Sequence, residues 1–229
     1  MIASFPKDGS LTQFQELIYQ IYGEPDDKLF SVSDLVSNQE RFTMRALKGI
    51  RKCDDKKLKI NLVIAISWMM ALANRLHIDV ERAVWERFPM QCAYCGKTPC
   101  ACRKIKPTKR AKAIRNSAQK PGSVAGFQEM FANIYPSHTR TLEHAGVHLA
   151  EEMGELSESI HIYLGQHTAI VYLSIKEEIA DYVSCIFGVA NSAKFDLASQ
   201  ITKIYHHNCH NCHKLPCSCN FANVAKFRS

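Results

Sequence analysis

Cys92-Ala93-Tyr94-Cys95-Gly96-Lys97-Thr98-Pro99-Cys100-Ala101-Cys102 returns near the end of the chain as Cys209-His210-Asn211-Cys212-His213-Lys214-Leu215-Pro216-Cys217-Ser218-Cys219. Extending the match upstream aligns residues 62–102 with 179–219 without a gap, with ten identities in 41 positions. Ser67, Ala73, Asn74 and Asp79 match Ser184, Ala190, Asn191 and Asp196. Phe14-Gln15-Glu16 with Ile21-Tyr22 matches Phe127-Gln128-Glu129 with Ile134-Tyr135. Self-similarity of this length marks a duplicated structural unit. The expected domains are 1–102, a basic linker 103–122, and 123–229.

Helical apolar spacing runs through both copies, and strand alternation and hairpin dipeptides are absent. The spacing predicts helices near 10–23, 32–52, 57–77 and 79–90, then near 123–135, 139–164, 169–193 and 196–208. Asp79 and Asp196 suit the N-caps of the last helices, and Gly165 suits a C-terminal stop. The fold class expected is all-α: two tandem four-helix repeats in an antiparallel bundle, each ending in a compact four-cysteine knob.

Each cluster has the form C-x2-C-x4-C-x-C, and four thiolates satisfy one tetrahedral Zn²⁺ without outside ligands. Cys92, Cys95, Cys100 and Cys102, and Cys209, Cys212, Cys217 and Cys219, are therefore the expected ligands of two structural Zn²⁺ ions. An iron–sulfur cluster or redox disulfides are the alternatives. His206, His207, His210 and His213 surround the second cluster but have no counterparts around the first. Cys53 and Cys185 stand alone, as buried thiols commonly do.

The second copy differs in its acids. Glu151-Glu152-Met153-Gly154-Glu155 opens a stretch that closes at Glu177-Glu178-Ile179-Ala180-Asp181. Glu152 and Glu155 share one helix face, as do Glu178 and Asp181. Leu149, Met153, Leu156 and Ile160, and Ile179, Val183, Ile186 and Phe187, supply the neighbouring apolar faces. No Lys or Arg occurs from Thr141 to Ile175. Unpaired carboxylates beside a core either take up protons or bind a divalent cation. A solvated acidic face is the plainer reading. The first copy has Asn61 and Ile64 in place of Glu178 and Asp181 and no Glu-x-x-Glu, so it reads as degenerate.

Glu-x-x-Glu, 22 residues, then Glu-x-x-Asp resembles the signature of the MazG-like all-α nucleoside triphosphate pyrophosphohydrolases. The resemblance runs from Phe127 to the C-terminal cysteine cluster. It implies Mg²⁺ held by Glu152, Glu155, Glu178 and Asp181, and cleavage of a nucleoside triphosphate to monophosphate and pyrophosphate. It also implies a pseudo-dimer in which the degenerate repeat serves as partner to the catalytic one. Glu151 is the extra acid, although it points about 100° away from Glu152. Lys203 and Asn208 resemble the family's phosphate-contacting Lys and Asn, one residue further apart than expected. Asn191 is a third substrate-binding candidate, though its match with Asn74 favours a structural role. The alternative is a non-enzymatic nucleotide sensor or nucleic-acid-binding regulator.

The formal charge is +7, but eight positive charges lie between Arg103 and Lys120 with no acid among them, leaving the rest one charge negative. That segment reads as a solvated linker or a contact for nucleic acid. Self-association of the nucleotide-binding protein also stays open. No secretory leader or membrane-length apolar run is expected, so the location expected is cytoplasmic with no membrane contact.

Overall fold

The helices begin where short polar side chains can take up the free N–H groups of a first turn. The structure, a computed structural model, describes residues 4–102, 107–112, 114–220, 222 and 224. Among them are eight α-helices and no strand: α1 (Leu11–Leu29), α2 (Val32–Arg51), α3 (Asp55–Arg75), α4 (Val80–Arg87), α5 (Val124–Ile134), α6 (Leu142–Gln166), α7 (Ala169–Ser192) and α8 (Leu197–Ile204). Ser10, Ser31, Asp54, Ser123, Thr141 and Thr168 cap six of them by accepting from backbone N–H groups. Each such cap contributes about 1 kcal/mol.

Several expected boundaries shift: α4 and α8 end at Arg87 and Ile204, short of the expected 90 and 208. α1 runs through Pro25 to Leu29, not to 23. Proline supplies no N–H to the carbonyl four residues before it, and the freed Ile21 carbonyl accepts instead from Cys217 N–H at 2.8 Å. α6 passes Gly165 and ends at Gln166, with His167 taking the left-handed cap conformation at φ 51°.

The chain forms two compact units, Met1–Asp79 with Leu197–Ser229, and Val80–Asp196. In the first, α1, α2 and α8 pack on α3; in the second, α4, α5 and α6 pack on α7. α3 and α7 form the two cores, nearly continuous runs of buried residues. α3 is long and apolar enough to cross a membrane by composition, yet 72% of that window is buried inside the protein. A polar bracket recurs in both cores. Gln15 donates to Asn74 Oδ1 and Ile78 O, and Gln128 donates to Asn191 Oδ1 and Phe195 O.

The units do not part at 102 and 122. The last helix and cysteine cluster of each sequence repeat belong to the unit built by the other repeat. Tyr205 lies against Phe14 and Tyr22 and donates to Ser67 Oγ at 2.8 Å. Phe88, at the equivalent repeat position, lies against Phe131 and Tyr135. Because both repeats carry an aromatic residue here, neither the repeats nor their spacing reveal the exchange.

This sets an expectation for fragments. Residues 80–196 should fold alone with a cooperative thermal transition, whereas 123–229 should not. The fragment 123–229 lacks α4, and losing buried side chains such as Val84 and Phe88 costs about 1.5–3 kcal/mol each. That is a large part of a small domain's total stability of about 5–15 kcal/mol. Circular dichroism melts of the two fragments check it.

Candidate metal centres

Glu152 is forced towards the core by its neighbours, since it lies between Leu149 and Leu156 on the buried stripe of α6. Glu178 and Asp181 sit on α7 among Ile175, Ile179 and Tyr182, all fully buried. One carboxylate oxygen from each of Glu152, Glu178 and Asp181 lies within 4.8 Å of the others. Glu152 Oε2 and Glu178 Oε2 are buried without a hydrogen-bond partner. Glu155 and Glu151 are exposed on α6 and fall outside this group.

The expected absence of a cation is corrected by the tertiary structure. Arg87 of α4 grips Asp181 with two hydrogen bonds, Nε to Oδ1 at 3.0 Å and Nη2 to Oδ2 at 2.6 Å. Its Nη1 donates to Glu177 Oε2 at 2.7 Å. Arg110 donates to the same oxygen at 2.9 Å, and its guanidinium lies 4.8 Å from the Tyr94 ring centre. Comparison of the repeats carried a signal for this pair. Arg87 and Asp181 correspond to Ile204 and Ile64, so a charge pair in one unit replaces two isoleucines in the other.

Two arginines do not balance Glu152, Glu155, Glu177, Glu178 and Asp181. Burial, then the charges of Asp181, Glu155 and Glu178, push Glu152 up to about 8. Burial, then Asp181 and Glu155, push Glu178 up to about 7. Burial raises Asp181 as well, against the pull of Arg87. The remaining charge deficit and the two orphaned oxygens fit a divalent cation. Asp181 can serve it as well, because each carboxylate oxygen has a second lone pair.

The sign of the resulting pH dependence follows from linkage. Glu152 and Glu178 titrate in the fold at about 8 and about 7, above the ordinary 4.5. The folded state therefore binds more protons, and its stability falls as pH rises from the ordinary value through the folded ones. Without added Mg²⁺, the melting temperature of unit Val80–Asp196 should fall between pH 6 and pH 8.5. Mg²⁺ should raise it more at pH 8.5 than at pH 6. Binding near pH 6.5 should release protons, read by calorimetry in buffers of different ionisation enthalpy.

The degenerate unit shows what replaces the acids. The buried positions of α2 and α6 align in register at an offset of 110, pairing Leu35, Gln39, Ala46 and Ile50 with Ala145, Leu149, Leu156 and Ile160. Phe42 and Arg45 thus stand where α6 has Glu152 and Glu155. Phe42 and Ile64 pack together with Trp68 against them, and Asn61 donates to Lys57 O at 2.6 Å.

Both cysteine groups assemble as expected, and all ten cysteines are free thiols. The Sγ atoms of each group lie within 4.8 Å of one another. Cys92–Cys102 and Cys95–Cys100 are 3.7 and 4.0 Å apart, and Cys209–Cys219 and Cys212–Cys217 are 4.0 and 3.8 Å apart. Metal–sulfur bonds of about 2.3 Å in a tetrahedron place sulfurs about 3.8 Å apart, so either group could hold such an ion. Backbone N–H groups of Tyr94, Ala101 and Cys102 point at the first group's sulfurs, and those of Asn211 and Cys219 at the second's. Such donors offset thiolate charge. His210 is no ligand here: its Nδ1 bonds Tyr22 Oη at 2.8 Å. Cys185 is buried as expected, but Cys53 is exposed.

Other expectations are redistributed. Lys203 is exposed on α8, and Asn208 donates to His213 O beside the second cysteine group, so both belong to the unit without the acids. Asn191 is held by Gln128, which accounts for its match with Asn74. Much of the basic segment is not a free linker. Arg110 pairs with Glu177, Lys120 with Glu81, and Arg115 donates to Glu86 O. Arg103, Lys104 and Lys106 lie outside the described residues.

Among the described residues these features define an all-helical protein of two compact units, with two four-cysteine groups and one partly buried carboxylate group that could hold metal ions. No family model, curated protein or solved structure matches the chain.

Proposed function

We propose that the unit Val80–Asp196 is a Mg²⁺-dependent nucleotide pyrophosphohydrolase, as the resemblance to MazG-like enzymes implies. The observation that carries it is the partly buried group of Glu152, Glu178 and Asp181, with two orphaned buried oxygens and an unbalanced negative charge. Its counterparts Phe42, Asn61 and Ile64 show that the fold does not need acids there. Glu152, Glu178 and Asp181 would hold Mg²⁺, with Glu155 at the rim. Bound there, Mg²⁺ supplies charge neutralisation for phosphate oxygens and a water of lowered pKa.

The remaining work falls to the chain. Arg87 fixes the orientation of Asp181 through its paired hydrogen bonds. Arg110 and Arg87 together hold Glu177 away from the ligand set. Glu155, exposed and close enough to raise its neighbours, would accept the proton of the attacking water in this reading. Cleavage between the α and β phosphates releases monophosphate and pyrophosphate. The two repeats form a pseudo-dimer in this reading, with the degenerate unit kept for its fold. Zn²⁺ in each cysteine group completes the cofactors; four protein ligands leave no open position, so both ions are structural.

For the alternative of a nucleic-acid-binding protein, Arg110, Arg115 and Lys120 are less available, being engaged within their own unit. The test is to incubate the full chain with each common nucleoside triphosphate and Mg²⁺. Monophosphate and pyrophosphate in equal amounts are expected; no monophosphate from any nucleotide would leave the sensor reading in its place.

A further inference from the structure

Arg140 is a cation that the unit Val80–Asp196 holds without a carboxylate partner among the described residues. It immediately precedes the Thr141 cap of α6, and its Nε is buried with no hydrogen-bond acceptor. No carboxylate pairs with its guanidinium among the described residues. Burial of an unpaired charge is costly, so a fold retaining one asks for an explanation.

The seat of this side chain is specific. A Cβ at Gly188 of α7 would lie 2.5 Å from Arg140 Nη2 and 3.1 Å from Cζ, so a larger residue there would displace the guanidinium from the helix. Mid-helix glycine costs about 1 kcal/mol relative to alanine. The guanidinium also stands 5.9 Å from the Tyr135 ring centre. In the other unit the equivalent positions are Phe30 and Ala71, which line one apolar cavity with Trp68. The repeat that lost the acids thus has an ordinary apolar pair where the acidic repeat has an arginine on a glycine.

Asp181, Cys185 and Gly188 are spaced by four and three residues and share one stripe of α7. Cys185, fully buried between them, feels Glu152, Asp181 and Arg140 together. His148, one turn before Glu152 on α6, is also within electrostatic reach of Arg140. Asp181 and the Gly188 seat of the arginine therefore lie on one stripe of α7, two helical turns or about 10 Å apart by backbone rise. Subtracting about 2 Å for a metal–oxygen bond and about 3 Å for a charge-assisted hydrogen bond leaves a gap wider than one phosphate. A chain of phosphates spans it.

We propose that Arg140, seated on Gly188, is an anion subsite for the far end of a polyphosphate whose near end lies on the Glu152–Glu178–Asp181 metal site. The inference deepens the pyrophosphohydrolase reading and rests on it for the metal end. It assigns the ligand class as tri- or diphosphates in preference to single phosphates. Gly188 is a positioning residue, acting through the arginine it admits.

Calorimetry of the full chain with Mg²⁺ and inorganic tripolyphosphate tests this, with orthophosphate as the comparison. Wild-type protein should bind tripolyphosphate more tightly than orthophosphate, and Arg140→Gln should weaken tripolyphosphate at least tenfold. Arg140→Lys should recover part of the loss, and Mg²⁺ affinity in the absence of phosphate should stay within about twofold. The double variant R140F/G188A copies the packing of the other unit; it should keep or raise the melting temperature while losing tripolyphosphate as fully as R140Q. Wild-type affinity in either R140Q or R140F/G188A overturns the inference. If nucleotides are hydrolysed and R140Q keeps the wild-type kcat/KM, the inference falls and the catalytic reading stands. If tripolyphosphate binds through Arg140 but no nucleotide is cleaved, the catalytic reading falls and the subsite stands.

Discussion

Glu178→Gln should abolish pyrophosphate release, lowering its rate roughly 10³-fold or more, while leaving the fold as stable as before or more so. Activity and stability separate here because Glu178 contributes repulsion to the metal-free fold: burial and the charges of Asp181 and Glu155 hold it at about 7. A neutral amide of the same shape removes that repulsion and also removes a metal ligand. Asp181→Asn should behave differently. It loses a ligand but also frees Arg87, and breaking a buried pair by removing one partner costs about 3–5 kcal/mol. The double change R87I/D181I, which copies Ile204 and Ile64, should recover stability without recovering activity. Pyrophosphate release and thermal melts on the four proteins, wild type included, decide this. An active Glu178→Gln protein would remove the carboxylate group from the mechanism.

The second large effect concerns the cysteine groups, and the exchange between repeats sets its direction. Metal analysis of protein purified without added metal should find about two zinc ions per chain, one per tetrathiolate. Iron with visible absorbance, or one ion, would contradict that assignment. Cys92→Ser and Cys209→Ser should each lose one ion. Structural zinc sites contribute about 10–16 kcal/mol in small zinc-binding peptides, comparable with the whole stability of a domain, so each loss should lower a melting transition sharply. Their effects on activity should differ. The first group shares its unit with the acids: Tyr94, inside it, carries Arg110 against its ring and accepts from Ala111 N–H through its carbonyl. Cys100 N–H donates to Ile134 O at 2.8 Å, fixing the knob to the end of α5. Cys92→Ser should therefore abolish pyrophosphate release along with its zinc. Cys209→Ser changes the unit without the acids and should retain most activity at temperatures below its melting transition. By repeat order alone the opposite result would be expected, since Cys209 follows the acids in sequence. The reverse outcome would show that the units are not built as described.

Within the sequence, local chemistry alone determined the helical class, the duplication, the two four-cysteine groups and the three acids that gather. Each of these depends on residues within a few turns of one another: 3.6-residue periodicity, cysteines within eleven residues, carboxylates three apart on one face. Glu155 lies outside the close-set group yet near enough to act on Glu152 and Glu178; spacing puts it beside Glu152 but does not say where the neighbouring helix ends its cover. The exchange of last helices was invisible because Phe88 and Tyr205 are equally suited to either aromatic socket. Arg87 and Arg140 were hidden for a related reason. Arg87 lies 94 residues from Asp181, and its significance depends on which unit α4 joins. Arg140 stands next to a helix cap, where a basic residue is unremarkable until Gly188 is found beneath it. Charge pairing and close packing over such separations are tertiary properties, decided by which surfaces bury together rather than by what either segment prefers alone.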